Sequence, residues 1–177
     1  MPRLFTGLEI PSDLATDLAM MRGGLCGARW IDVENYHMTL RFIGDIDDAT
    51  AREVHSSLEQ IRRRPFTVTL EGLSSFGGAK PRAIVAKAKP GTDLVELQAQ
   101  QERLFRRIGI APEPRKFTPH VTLARLRAAS CMGVAEYLAT RGFFLSRRFE
   151  ARRFVLFSSR ASTGGGPYIV EAAYPLG

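Results

Sequence analysis

His37-Met38-Thr39-Leu40 and His120-Val121-Thr122-Leu123 read almost the same and lie 83 positions apart in a chain of 177 residues that holds three histidines. Successive side chains on a β-strand point to opposite faces. His37 and Thr39 therefore share one face while Met38 and Leu40 share the other, and His120 with Thr122 stands likewise against Val121 with Leu123. Each copy offers an imidazole and a hydroxyl to one side and an apolar pair to a core. Histidine changes charge near neutral pH, so two facing imidazoles can serve as acid and base. That is a catalytic layout.

Outward from the motifs, the order of elements repeats. Arg3–Ile10 reads as a strand closed by Pro11, and Ser12 or Asp13 opens a helix on Leu14, Leu18 and Met21 that stops at Gly23-Gly24. The first motif strand runs His37–Ile46. A helix from Asp47-Asp48 to about Arg63 follows, with Val54, Leu58 and Ile61 at helical spacing. Strands Phe66–Phe76 and Ala83–Lys89 are joined by a Gly/Pro-rich turn. Gly91-Thr92-Asp93 then starts a helix on Leu94, Leu97, Leu104 and Ile108 that ends at Gly109. After the second motif strand, His120–Arg127, come a helix around Cys131–Thr140 and strands near Arg147–Ser158 and Tyr168–Tyr174. The offset recurs in Phe66 and Phe149, Leu73 and Leu156, and Ser75 and Ser158. The pattern predicts one domain over 1–177 built by internal duplication, with approximate halves 11–90 and 91–177, each giving one motif strand to a common cleft.

Composition sets the class. The chain is 45% hydrophobic with a net charge of +7, a globular composition whose balance favours anionic partners, nucleic acid first. No apolar run approaches a membrane span, and the opening residues form no secretory segment. Cys26 and Cys131 have neither metal nor redox spacing, which predicts reduced thiols in a cytoplasmic protein. A metal site on His37 and His120 would want a further ligand at suitable spacing, and neither motif has one nearby. His55 sits among Arg52, Glu53 and Ser56 and reads as solvated. Gly164-Gly165-Gly166 lacks the Lys-Ser or Lys-Thr of a phosphate loop and reads as a hairpin connection. The arginine runs at 62–64, 106–107, 147–148 and 152–153 read as solvated faces, or as a track for a polyanion.

Two imidazoles can move protons on opposite sides of a phosphorus atom, and Thr39 and Thr122 can hold its non-bridging oxygens. Strand parity puts Arg41 on the His37 face, where a guanidinium can meet a phosphate. The same parity turns Arg125 away from His120, unless a bulge or the strand end returns it. Phe5, Tyr36 and Phe117 are candidates to stack a base.

On these motifs the chain resembles the 2H phosphoesterase family, in particular its RNA 2′,3′-cyclic phosphodiesterase branch, also called 2′-5′ RNA ligase-like. The residues that carry the likeness are Arg3–Pro11, Asn35–Gly44 with Met38 where leucine is common, Phe117–Arg125, Phe157–Arg160 and Gly166–Tyr168. The resemblance implies an α+β fold of two pseudo-symmetric lobes of antiparallel sheet, flanked by helices, with a central cleft. It implies hydrolysis of RNA 2′,3′-cyclic phosphate ends to 2′-phosphomonoesters without a metal or other cofactor, and with no obligatory protein partner. His37 would be the proton donor and His120 the proton acceptor. Thr39 and Thr122 would bind the phosphate, and Arg125 would lie at it as well, against strand parity. Two further readings use the same cleft: 2′-5′ RNA ligation, and a non-catalytic RNA- or nucleotide-binding module.

Overall fold

The chain is described by a computed structural model over residues 3–142, 144, 146–159 and 166–177. Arg160 and the Gly164-Gly165 pair of the proposed hairpin connection lie outside the described residues. The elements are β1 (Arg3–Glu9), α1 (Ser12–Ala19), β2 (Ala28–Trp30), a 3₁₀ turn (Val33–Asn35), β3 (His37–Asp45), α2 (Asp48–Leu58), β4 (Phe66–Phe76) and β5 (Ala83–Ala88). They continue with α3 (Thr92–Arg107), β6 (His120–Leu126), α4 (Cys131–Arg141), β7 (Arg147–Ala151), β8 (Arg153–Ser159) and β9 (Tyr168–Pro175).

The helices form where an apolar stripe meets a start signal. In α2 the Asp47 carboxylate accepts from the Thr50 N–H at 2.7 Å, and in α4 the Ser130 hydroxyl accepts from the Gly133 N–H at 2.9 Å. These two helices and their caps lie 83 positions apart, as the motifs do. α3 buries Leu94, Leu97, Gln101 and Phe105 along one stripe. It ends on Gly109 at φ +86°, with the Ile110 N–H reaching back to the Phe105 carbonyl, a turn that favours glycine. α1 differs from expectation: Pro11 occupies its N-cap and no side chain caps it. α2 stops at Leu58 rather than near Arg63, and Pro65 disfavours helix in the residue before it.

The sheet runs β7-β4-β5-β6-β3-β1-β8-β9, with β2 paired to β6, and all of its pairings are antiparallel. Two four-stranded arms, β7-β4-β5-β6 and β3-β1-β8-β9, meet where Met38 pairs with Val121, so the motif strands are neighbours at the join. This is the α+β architecture expected. The stretch near Arg147–Ser158 is two strands rather than one. β7 lies on one flank against β4 and β8 on the other against β1, with only Arg152 between them. One residue can span that distance only if the sheet bends back on itself. α3 packs behind β3 and β4, opposite the cleft. Arg41 and Thr6 face it there, with the Thr6 hydroxyl donating to Oε1 of Gln101 on α3 at 2.5 Å.

Candidate active site: two imidazoles on adjoining strands

With Met38 opposite Val121, antiparallel register sets His37 beside Thr122 and Thr39 beside His120. Each imidazole is oriented in the same way. The Nδ1 of His37 lies 2.9 Å from the Asn35 carbonyl, and that of His120 lies 2.6 Å from the Thr118 carbonyl. A carbonyl only accepts, so each Nδ1 carries a proton and each Nε2 is left for proton transfer. His37 Nε2 is 3.0 Å from the Thr39 hydroxyl, which donates to it in this tautomer. The edge of Phe76 stands against His120, with ring centres 4.7 Å apart. Phe5, Phe157 and Tyr168 enclose His37, with ring centres 5.0, 5.5 and 4.8 Å away.

This apolar enclosure disfavours charge. Burial pushes His37 down to about 4; the hydrogen bond to Asn35 opposes the shift, while His120 and Arg125 add to it. His120 is lowered too, by burial first and then by Arg125, with the Thr118 hydrogen bond opposing. Arg125 thus acts on both rings, and it lines a cavity of about 190 Å³ together with His37, Thr39, Phe5, Phe42 and Tyr168.

A pair of bulges decides which arginine is at the site. Along β3 the partners on β1 step from Arg41 to Thr39 and skip Leu40, while along β6 the partners on β5 step from Ala124 to Thr122 and skip Leu123. A bulge adds one residue and reverses the alternation beyond it. Leu40 and Arg41 are consequently both buried, as are Leu123 and Ala124. Phe42 and Arg125 then return to the histidine face. Gly7 admits the first bulge, since a Cβ there would lie 2.7 Å from the Met38 carbonyl oxygen.

The expectation for Arg41 is therefore corrected. Its side chain is 5% exposed on the opposite face, bonded to Glu102 Oε2 at 2.5 Å and to the Ala111 carbonyl at 2.5 Å. Arg125 is where only a bulge could put it. Of the three candidate aromatics, Phe5 borders the cleft, whereas Tyr36 is buried in the core and Phe117 packs against it. Sequence reasoning missed Phe42, 46% exposed, along with Phe157 and Tyr168. Neither bulge has a signal in the residues around it, because Leu40 and Leu123 fit regular alternation and only the partner registers reveal the extra residue. His55 is exposed, with Nδ1 2.7 Å from the Tyr174 hydroxyl and Nε2 3.3 Å from Glu59.

A hollow of about 990 Å³ beside Arg62, Arg63 and Arg64 includes neither motif histidine, whereas the cavity of about 190 Å³ is lined by His37 and Arg125. Among the described residues no three His, Cys, Asp or Glu side chains converge as a metal-binding set, and no helix is long and apolar enough to cross a membrane.

Two His-x-Thr strands side by side, on an antiparallel α+β sheet, define a two-histidine phosphoesterase. The chain belongs to the LigT-like phosphoesterase family, whose pattern ("LigT like Phosphoesterase") matches residues 8–86 and again residues 85–168. An RNA 2′,3′-cyclic phosphodiesterase of Aquifex aeolicus is 32% identical over 154 residues, 84% of this chain and 82% of the relative. One of Bacillus subtilis is 29% identical over 130 residues, 70% of this chain and 71% of the relative. Among solved structures, a Thermus thermophilus protein superposes with a TM-score of 0.83 at 22% identity, covering 98% of this chain and 97% of its own. Escherichia coli LigT complexed with 3′-AMP gives 0.78 at 22% identity, covering 99% of each chain.

Proposed function

We propose that this chain hydrolyses 2′,3′-cyclic phosphates at RNA ends to 2′-phosphomonoesters, as an RNA 2′,3′-cyclic phosphodiesterase. The observation that carries the reading is the juxtaposition of two imidazoles, each with Nδ1 tied to a carbonyl and Nε2 left for proton transfer. The relatives named for that activity support it. In the reaction, a water oxygen attacks phosphorus while His120 Nε2 takes its proton. The bond from phosphorus to the 3′ oxygen breaks, and His37 Nε2–H protonates that oxygen. Thr39, Thr122 and Arg125 bind the phosphate oxygens, where fixed donors stabilise the charge that develops. The surroundings make His37 hard to protonate, so its donor role depends on the substrate's own phosphate, an anion that favours imidazolium.

The same reading takes the chain as one duplicated domain, supported by the repeated element order. It also assigns the chain to the cytoplasm, where unpaired cysteines such as Cys26 and Cys131 are at home. The test is turnover of adenosine 2′,3′-cyclic phosphate in EDTA, with the product identified by phosphorus NMR. A 2′-phosphate is expected at full rate with chelator present. His37→Ala and His120→Ala should each lower the rate by about 10²–10⁴, and the double variant should be little worse. A 3′-phosphate product would reverse the two roles, and activity lost on chelation and restored by one metal would sink the mechanism.

A further inference from the structure

We propose that the site extends past Arg125 to Arg29, and that these two guanidiniums bind a second phosphate, the one on the 5′ side of the terminal cyclic nucleotide. The inference rests on the phosphodiesterase reading above and names the substrate class more narrowly, as RNA chains rather than free cyclic nucleotides.

β2 pairs with β6 in a register that sets Arg29 directly opposite Arg125, so both side chains leave the same face of the sheet. Like charges directly opposite each other on a ladder repel. Among the described residues neither arginine makes an ion pair or a side-chain hydrogen bond that would relieve this. The arginine runs behave differently. Arg63 meets Glu96 at 3.2 Å, Arg152 meets Glu150 at 2.6 Å, Arg153 meets Glu9 at 2.7 Å, and Arg147 pairs with Asp17. Each run thus has at least one member paired to a carboxylate, with Arg106 meeting Glu102 at 3.7 Å, whereas in the cross-strand pair beside the imidazoles neither member is paired.

The placement also breaks the symmetry of the site in a direction. The residue after the first bulge is Phe42, and its counterpart 83 positions on is Arg125. The cleft therefore presents an exposed aromatic ring from β3 and two cations from β6 and β2. Beyond Arg29 lies a cavity of about 230 Å³, lined by Trp30, Asp32, Glu34, Asn35 and Pro167 among others. The carboxylates there suit ribose hydroxyls and base amino groups, not phosphate. Asp32 is also engaged by Arg22 at 3.9 Å. The phosphate falls to the guanidinium pair, and the upstream nucleoside to the cavity.

Three substrates separate the sources of the anion: adenosine 2′,3′-cyclic phosphate, the same compound carrying a 5′-phosphate, and the dinucleotide ApA with a cyclic end. The 5′-phosphate should raise kcat/KM roughly tenfold, as a charged hydrogen-bonding group gained does, and the dinucleotide should do at least as well. Arg29→Gln should abolish that preference, and Arg29→Lys should keep most of it. For the dinucleotide, the salt slope of log kcat/KM should be shallower in Arg29→Gln by about 0.7, the value for one phosphate on a single strand. Equal rates with and without the 5′-phosphate in the parent chain would overturn the proposal, as would a preference that survives Arg29→Gln. A gain with the dinucleotide alone would also overturn it, because recognition would then lie in the nucleoside. If no cyclic substrate turned over, the hydrolase reading would fail separately. Calorimetric binding of adenosine 2′,5′-bisphosphate against adenosine 2′-phosphate would then apply the same criterion to Arg29, with preference for the bisphosphate, lost in Arg29→Gln, as the supporting result.

Discussion

His37 and His120 share one geometry and differ in how far their surroundings oppose a charge, and this sets the pH behaviour at the residue scale. Acid–base catalysis needs one ring protonated and the other neutral. His37 titrates at about 4, and His120 too lies below its usual 6.5. The singly protonated free enzyme therefore peaks on the acid side of 6.5, and kcat/KM, which reports the free enzyme, should do likewise. A bound phosphate anion raises both groups, so the kcat bell should sit at higher pH than the kcat/KM bell. Arg125 lowers both rings. Arg125→Gln should move the kcat/KM bell upward in pH as well as reduce its height. Rate profiles on a cyclic mononucleotide check this, and coincident bells, or an unmoved bell in Arg125→Gln, would contradict it. The sequence made the two His-x-Thr pairs legible because two-residue alternation is a local property of a strand. It misplaced Arg41 because a bulge is decided by how the partner strand pairs, which no window around Arg41 contains.

Elements were legible to the extent that they carried their own signals. The stripes of α2, α3 and α4 and the alternation of β3 and β6 were all readable. β2 was not: three residues between glycine and a 3₁₀ turn carry no period, and they form a strand only because β6 offers an edge beyond the bulge. Arg41 belongs to this scale, since it bolts β3 to α3. Its guanidinium is bonded to Glu102 and to the Ala111 and Phe42 carbonyls, and Glu102 also accepts from the Glu113 N–H at 3.1 Å. These partners hold the Glu102 carboxyl below its usual range against the opposing effect of burial. Removing one member of a buried pair leaves the other uncompensated, at a cost of about 3–5 kcal/mol. Glu102 keeps some contact with water, so Arg41→Ala should lose about 3 kcal/mol, near the lower end of that range. Urea unfolding at constant m-value measures it. Activity per folded molecule should stay near that of the parent chain. A collapse of kcat/KM with stability unchanged would mean that Arg41 reaches the substrate after all.

Strand order was the least legible feature of the whole molecule, and it determines how the chain unfolds. The repeated order of elements suggests two halves that could stand alone, yet neither half has a sheet of its own. β4 and β5 from the first half lie between β7 and β6 from the second, and β3 and β1 lie between β6 and β8. Only Arg152 separates β7 from β8 as the chain passes from one arm to the other. Nearly every interior strand is thus completed by a strand from the other half, and the main core is one cluster drawing on all four helices. Cooperative, all-or-none unfolding follows when no part retains a core after the rest is lost. The single tryptophan gives a local probe, because Trp30 on β2 packs against Tyr137 of α4 with ring centres 5.7 Å apart. Tryptophan fluorescence and far-ultraviolet circular dichroism should report one common midpoint in urea. A fragment of residues 1–90, expressed alone, should show no native-like dichroism, since its strands would present open edges and half of a core. A folded fragment would mean that the first half is stable without the strands of the second. Separate midpoints for the two probes would mean that one arm outlasts the other and that the cleft joins two independent bodies. In that case the spacing of the imidazoles would vary with the hinge between them.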